Sequence, residues 1–139
     1  MINYLLDTNV ISEVQKKRPN SDVLAFLSGV PKSSLYLSCL TIGEMREGAE
    51  WKRRKDAAGA DALTVWIDGL ELDYRDCTLP ITTEIAKLWG TWSAQRSRPI
   101  IDTLLAATAV AHNLILVTRN VADVHDLPVP TLNPWPKSK

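Results

Sequence analysis

The 139-residue chain has little of what several protein classes require. It holds two cysteines, Cys39 and Cys77, too few for a disulfide framework and in no metal-ligand spacing. Both lie among apolar residues and are expected to be buried thiols in a reducing compartment. Histidine is as scarce: His112 reads as a capping residue at a helix C-terminus, and His125 stands apart from any nucleophile pattern. There is no Ser-His-Asp arrangement, P-loop or Gly-rich dinucleotide turn, which argues against triad hydrolases, NTPases and dehydrogenases. Net charge is absent too. Lys+Arg and Asp+Glu balance at 16 each, so any basic surface must come from how charge is distributed. Long apolar runs are also missing. The longest largely apolar stretch, Leu104 to Ala111, is far too short to cross a bilayer, the N-terminus has no basic flank, and Asp7 interrupts its apolar start. These features predict a soluble cytoplasmic protein with no membrane partner.

What is present is ordinary for a globular fold: 45% hydrophobic and 23% charged residues, in a length that predicts one domain over 1–139 with a real core. The run from Ile2 to Leu6 predicts a short buried strand, and Thr8-Asn9-Val10-Ile11 opens a helix. Val23, Phe26, Leu27 and Val30 mark a second helix after the turn Pro19-Asn20-Ser21-Asp22. Leu35 to Leu40 predicts a second strand, and Thr41-Ile42-Gly43-Glu44 the start of a third helix ending in the charged Glu50 to Lys55. Leu63, Trp66, Ile67 and Leu70 mark a fourth helix, and Cys77-Thr78-Leu79 a short strand. A fifth helix carries Ile85, Leu88, Trp89 and Trp92 on one stripe. Pro99 begins a sixth that ends at His112-Asn113. Leu114 to Val117 is the clearest strand, and the proline-rich tail reads as extended and edge-like. Strands separated by helices predict an α/β fold with a mostly parallel sheet.

Four acidic residues stand where such a fold places its chemistry. Asp7 and Asp123 follow predicted strands, Glu44 lies a few residues beyond another, and Asp102 is in the first turn after Pro99. Each has an ordinary structural use as well. Asp7 can cap its helix, Thr41-x-x-Glu44 matches a capping box, Asp102 suits the helix dipole, and Asp123 can be a solvated loop residue. Together they predict more. In a parallel sheet the carboxyl ends share one edge, and carboxylates converging there repel unless a cation lies between them. Oxygen donors without His or Cys favour Mg²⁺ or Mn²⁺.

The segments Leu6-Asp7-Thr8-Asn9, Leu40-Thr41-Ile42-Gly43-Glu44-Met45, Ile101-Asp102-Thr103-Leu104-Leu105-Ala106-Ala107-Thr108-Ala109 and Val117-Thr118-Arg119-Asn120 resemble the successive motifs of PIN-domain ribonucleases. The closing Leu132-Asn133-Pro134-Trp135 is similar to the end of VapC/FitB-type toxins of bacterial toxin–antitoxin pairs. The resemblance implies a three-layer α/β/α PIN fold, Mg²⁺- or Mn²⁺-dependent endoribonuclease activity, dimerisation and neutralisation by a cognate antitoxin. By position, Asp7, Glu44 and Asp102 match the principal acidic ligands, and Thr8, Asn9 and Thr118 the supporting polar residues. Many relatives carry Asp directly after Thr-Arg, where this chain has Asn120. Asp123, one helical turn on, is expected to take the fourth acidic place, with Asn120 as the neutral alternative.

Arg96, Arg98 and Arg119 lie near the expected site and are candidates for RNA phosphates. Lys52 to Lys55 reads as a solvated helix end with cations favouring its dipole. Trp89 and Trp92 suit core or dimer packing, while Trp51 and Trp135 are candidates to line an antitoxin groove. Two other readings are weighed. A catalytically weak PIN-like module would act by docking antitoxin or RNA. A phosphatase of the haloacid dehalogenase type also begins strand-Asp but needs a second Asp two residues on, where this chain has Asn9.

Overall fold

Apolar strand residues alternate between two cores, and that alternation builds three layers. A computed structural model describes residues 1–136; residues 137–139 of the expected domain lie outside the described residues. Five strands, β1 (Tyr4–Leu6), β2 (Leu35–Ser38), β3 (Thr78–Leu79), β4 (Ile115–Val117) and β5 (Thr131–Leu132), form one sheet in the order β3-β2-β1-β4-β5. Every neighbouring pair is parallel. Because successive side chains in a strand face opposite ways, Leu6, Leu35, Leu37 and Val117 enter one core and Leu5 and Leu116 the other.

The first core is closed by α1 (Thr8–Glu13), α2 (Ser21–Ser28), α3 (Cys39–Arg53) and α4 (Ala57–Asp73), through Val10, Val23, Met45 and Ile67. The second is closed by α5 (Thr83–Gln95) and α6 (Ile100–Ala111), through Ile85, Trp92, Leu105 and Ala106. The fold is therefore the expected α/β/α sandwich with a parallel sheet. In α6 the small buried residues Ala106, Ala107 and Ala109 let the helix lie close to the strands. Just past its end stands Asn113, whose φ of 56° is a left-handed conformation that Asn tolerates. The Leu114 amide then returns to the Ala109 carbonyl at 2.8 Å before the chain enters β4.

Several local expectations are corrected. The first strand begins at Tyr4, leaving Ile2 61% exposed beyond the sheet. The second ends at Ser38, because the Ser38 hydroxyl accepts the Leu40 amide at 3.1 Å and starts α3 at Cys39. Cys39 is consequently an exposed first-turn residue rather than a buried thiol, and Cys77 is half-buried in a 3-10 turn ahead of β3. The earlier helix start also removes the Thr41-x-x-Glu44 capping box, since Thr41 is already inside α3. Trp135, a candidate for an antitoxin groove, is buried in the first core instead. The proline-rich tail does form the edge strand β5, which pairs Leu116↔Thr131 and Val117↔Leu132 with β4. Among the described residues, no helix is long and apolar enough to cross a membrane.

Candidate metal centre

From β1 the chain moves outward to β2 and β3, then returns to β4 and β5 on the other side. The sheet order thus reverses between β1 and β4, and a parallel sheet has its crevice beyond the carboxyl ends of strands at such a point. Asp7 follows β1 and Thr118 follows β4. They are held side by side by the Asp7 amide, which donates to the Val117 carbonyl at 2.9 Å.

Asp7 is 4% exposed and serves both uses its position suggested. Its Oδ1 accepts the Thr8 amide at 2.6 Å, capping α1, and its Oδ2 accepts the Thr118 hydroxyl at 2.9 Å. The Thr118 oxygen accepts the Asn120 amide at 3.0 Å, tying the loop after β4 to the same carboxylate. Burial nonetheless pushes the Asp7 carboxyl above its ordinary range. The two hydrogen bonds oppose that rise, and the Glu44 charge adds to it.

Glu44 lies half-buried on α3, and its Oε1 accepts the Thr8 hydroxyl at 2.5 Å. The Thr41 hydroxyl oxygen is 3.2 Å from that of Thr8. Thr8 has one hydrogen, so donation to Glu44 leaves Thr41 as the donor in the second contact.

Asp102 is pushed up to about 6. Burial is the largest cause, followed by the charges of Asp7 and Asp123, a hydrogen bond with Asp123, and the Glu44 charge. The charges of the other three acids therefore all act on Asp102. Asp7, Asp102, Thr118 and Asn120 form the polar side of a small crevice whose apolar wall is Leu105, Leu116 and Val124.

The donor chemistry fits a hard divalent cation: carboxylate and amide oxygens, with no thiol or imidazole among them. Among the described residues, no three acidic, histidine or cysteine side chains are gathered closely enough to hold one ion as they stand. The carboxylates of Asp7 and Glu44 are turned instead onto the Thr118 and Thr8 hydroxyls, each of which offsets part of the negative charge.

A PIN domain family model matches residues 4–122. The chain belongs to the PIN domain family. It is 32% identical to the VapC ribonuclease Y4jK of Sinorhizobium fredii, over 94% of this chain and 96% of that protein. It is 30% identical to the toxin FitB of Neisseria gonorrhoeae, over 94% of this chain and 97% of that one. The solved structure of FitAB bound to an IR36 DNA fragment superposes with a TM-score of 0.86 at 27% identity, covering 98% of each chain. That of a VapBC-1 complex from nontypeable Haemophilus influenzae has a TM-score of 0.75 at 24% identity, covering 96% of this chain and 98% of that one, a likeness of fold.

In this PIN domain the remaining candidates separate. Asn9 is exposed in the first turn of α1, and Asn120 lines the crevice while the Asp123 charge acts on Asp102. Of the three arginines expected to meet RNA, two are engaged by protein. The Arg98 side chain is 1% exposed and donates to the Trp92 carbonyl, Gln95 and Asp126; Arg96 donates to both oxygens of Asp126. These partners occupy both guanidiniums in this structure. Arg119 stays exposed, with its guanidinium 4.9 Å from the centre of the Trp135 ring.

One buried acid escaped the sequence reading. Glu13, at the end of α1, is 4% exposed and accepts the Asn20 amide at 2.9 Å, with Lys16 Nζ also at 2.9 Å. The Lys16 hydrogen bond, more than any other contact, draws its carboxyl below the usual range; the Asn20 amide and, further out, Arg119 add to this. The spacing Glu13-x-x-Lys16 was the available signal, since i,i+3 partners meet on a helix.

Proposed function

We propose that this PIN domain is a Mg²⁺- or Mn²⁺-dependent endoribonuclease and the toxin of a cytoplasmic toxin–antitoxin pair. The observation that carries the reading is the crevice beyond β1 and β4, where Asp7 and Asp102 lie beside Asn120 and where the charges of Asp7, Asp123 and Glu44 add to the burial that raises Asp102 to about 6. Such crowding opposes folding, and proteins keep destabilising groups together where function uses them. A module that acts only by docking has no use for it. The relatives named VapC ribonuclease and the superposition on a FitAB complex support the same reading.

Asp7, Glu44 and Asp102 would hold the cation, with Asp123 as the fourth acid and Asn120 as a neutral oxygen donor beside it. Bound there, the cation supplies Lewis acidity, activating water as the nucleophile and neutralising charge on the attacked phosphodiester. The chain's own residues do the rest. Thr118 and Thr8 fix the carboxylates of Asp7 and Glu44 through their hydroxyls. Leu105, Leu116 and Val124 wall the crevice on its apolar side and limit access of bulk water. Arg119, exposed beside Trp135, is placed to meet phosphates. A protein antitoxin is the proposed partner, and a homodimer, alone or within a larger antitoxin complex, the proposed assembly.

The test is cleavage of a structured RNA by purified, antitoxin-free protein in Mg²⁺, in Mn²⁺ and in EDTA, beside an Asp7→Asn control. Cleavage that needs the metal and is lost in the variant supports the reading. No cleavage of any RNA in either metal would move it to the docking module.

A further inference from the structure

Asp102 and Asp123 come from segments that meet only through tertiary contacts. Asp102 is in the first turn of α6, three residues after Pro99, the residue before that helix. Asp123 is in the 3-10 turn Val121–Val124 that follows β4. An ion-pair link joins the same two segments. Arg98 Nη1 donates to Asp126 Oδ1 at 2.9 Å, while Arg96 donates through Nη2 to Oδ1 at 3.0 Å and through Nε to Oδ2 at 3.1 Å.

The link is anchored on the helix side. Arg98 Nε donates to the Trp92 carbonyl at 2.9 Å and Nη2 to Gln95 Oε1 at 3.1 Å, which fastens the guanidinium to the last turn of α5. It is anchored on the loop side as well, since Val124 and Leu127, flanking Asp126, are buried in the second core. A buried guanidinium is tolerated only when its donors are satisfied, and a bidentate carboxylate fits its planar fork. The three charges therefore set how far the turn bearing Asp123 stands from the helix start bearing Asp102.

We propose that Arg96 and Arg98, acting through Asp126, are positioning residues of the metal centre: they hold Asp123 against Asp102 so that both acids serve one cation. This rests on the proposed nuclease reading but assigns these arginines a role different from RNA contact. Asp126→Asn keeps one acceptor oxygen and loses the charge and the second acceptor, so it loosens the tie without emptying the space.

The experiment uses the full chain, as wild type, Asp126→Asn and Asp126→Glu. It measures Mn²⁺ affinity by electron paramagnetic resonance, amide exchange across 121–127, and kcat and KM on RNA at two salt concentrations. The expected result for Asp126→Asn is Mn²⁺ affinity weaker by about tenfold, the low end for outer residues of metal sites. Exchange should quicken around Asp123 while the amides of β1 keep their protection, and kcat should fall with KM and its salt dependence unchanged. Asp126→Glu should restore most of the Mn²⁺ affinity.

A raised KM with a weaker salt dependence and unchanged Mn²⁺ affinity would overturn the proposal and make the arginines RNA contacts. Unchanged affinity and unchanged exchange would overturn it and leave the tie idle. If wild type binds Mn²⁺ but cleaves no RNA, the nuclease reading fails while affinity and exchange still decide the positioning role. A wild type that binds no Mn²⁺ overturns both.

Discussion

Thr8 and Glu44, 36 positions apart, are joined by a 2.5 Å hydrogen bond from the threonine hydroxyl to Oε1 of the acid. It links the start of α1, at the end of the central strand, to the second turn of α3. Glu44 is thereby held toward Asp7, whose carboxylate caps the same α1 and accepts the Thr8 amide. Thr8→Val keeps the shape and removes the hydroxyl. RNA cleavage should fall by about tenfold to a hundredfold, as for other residues that orient metal ligands, while Thr8→Ser restores most of it. Initial rates at saturating Mg²⁺ check this.

Asp102 should make the metal-free protein less stable as pH rises. Its pKa is about 6 in the folded chain, above the ordinary 3.8. Between those values the native state binds more protons than the unfolded one, so stability falls with rising pH. The effect is absent below the lower value, complete above the higher one, and reduced by water because the side chain is only half-buried. In EDTA at pH 7.5, Asp102→Asn should be more stable than wild type by about 1 kcal/mol, a gain common at functional sites. At pH 4 that advantage should vanish. Urea midpoints at the two pH values measure it, and a variant less stable at both would show that the helix-dipole role of Asp102 dominates.

Arg119 and Trp135 should separate cleanly. Trp135 is 8% exposed and fills the first core, so Trp135→Ala should cost about 3 kcal/mol or more in urea unfolding. Arg119→Ala removes an exposed cation over that ring and should cost under about 1 kcal/mol. Its effect should fall on substrate instead: a higher KM for RNA, and a salt dependence shallower by about one counterion. An unchanged KM would remove Arg119 from the RNA path.

The sequence showed the fold where one signal was unopposed. Ile115, Leu116 and Val117 form an apolar run with two β-branched members after a helix stop at Asn113, and the structure makes them β4. It misled where two signals overlapped. Leu35 to Leu40 reads as one apolar run because Ser38, the residue that starts α3, sits inside it. The positions of Asp7, Glu44 and Asp102 were legible because each lies at a fixed distance from a strand end or helix start. The company of Arg98 was not. Its carboxylate partner is 28 residues away, and nothing in the local pattern distinguishes an arginine bound for the interior from one left in water.

The central claim, that these carboxylates form one cation site, is tested most directly by the thermal midpoint of the full chain during a Mn²⁺ titration at pH 7.5, with Asp7→Asn alongside. A ligand bound only by the native state stabilises it by about 2.7 kcal/mol at a hundred times its dissociation constant. The expected result is a midpoint that climbs by several degrees and stays up with added Mn²⁺ in wild type, reverses with EDTA, and moves little in Asp7→Asn. A wild-type midpoint indifferent to Mn²⁺, or a rise of equal size in the variant, would contradict the account.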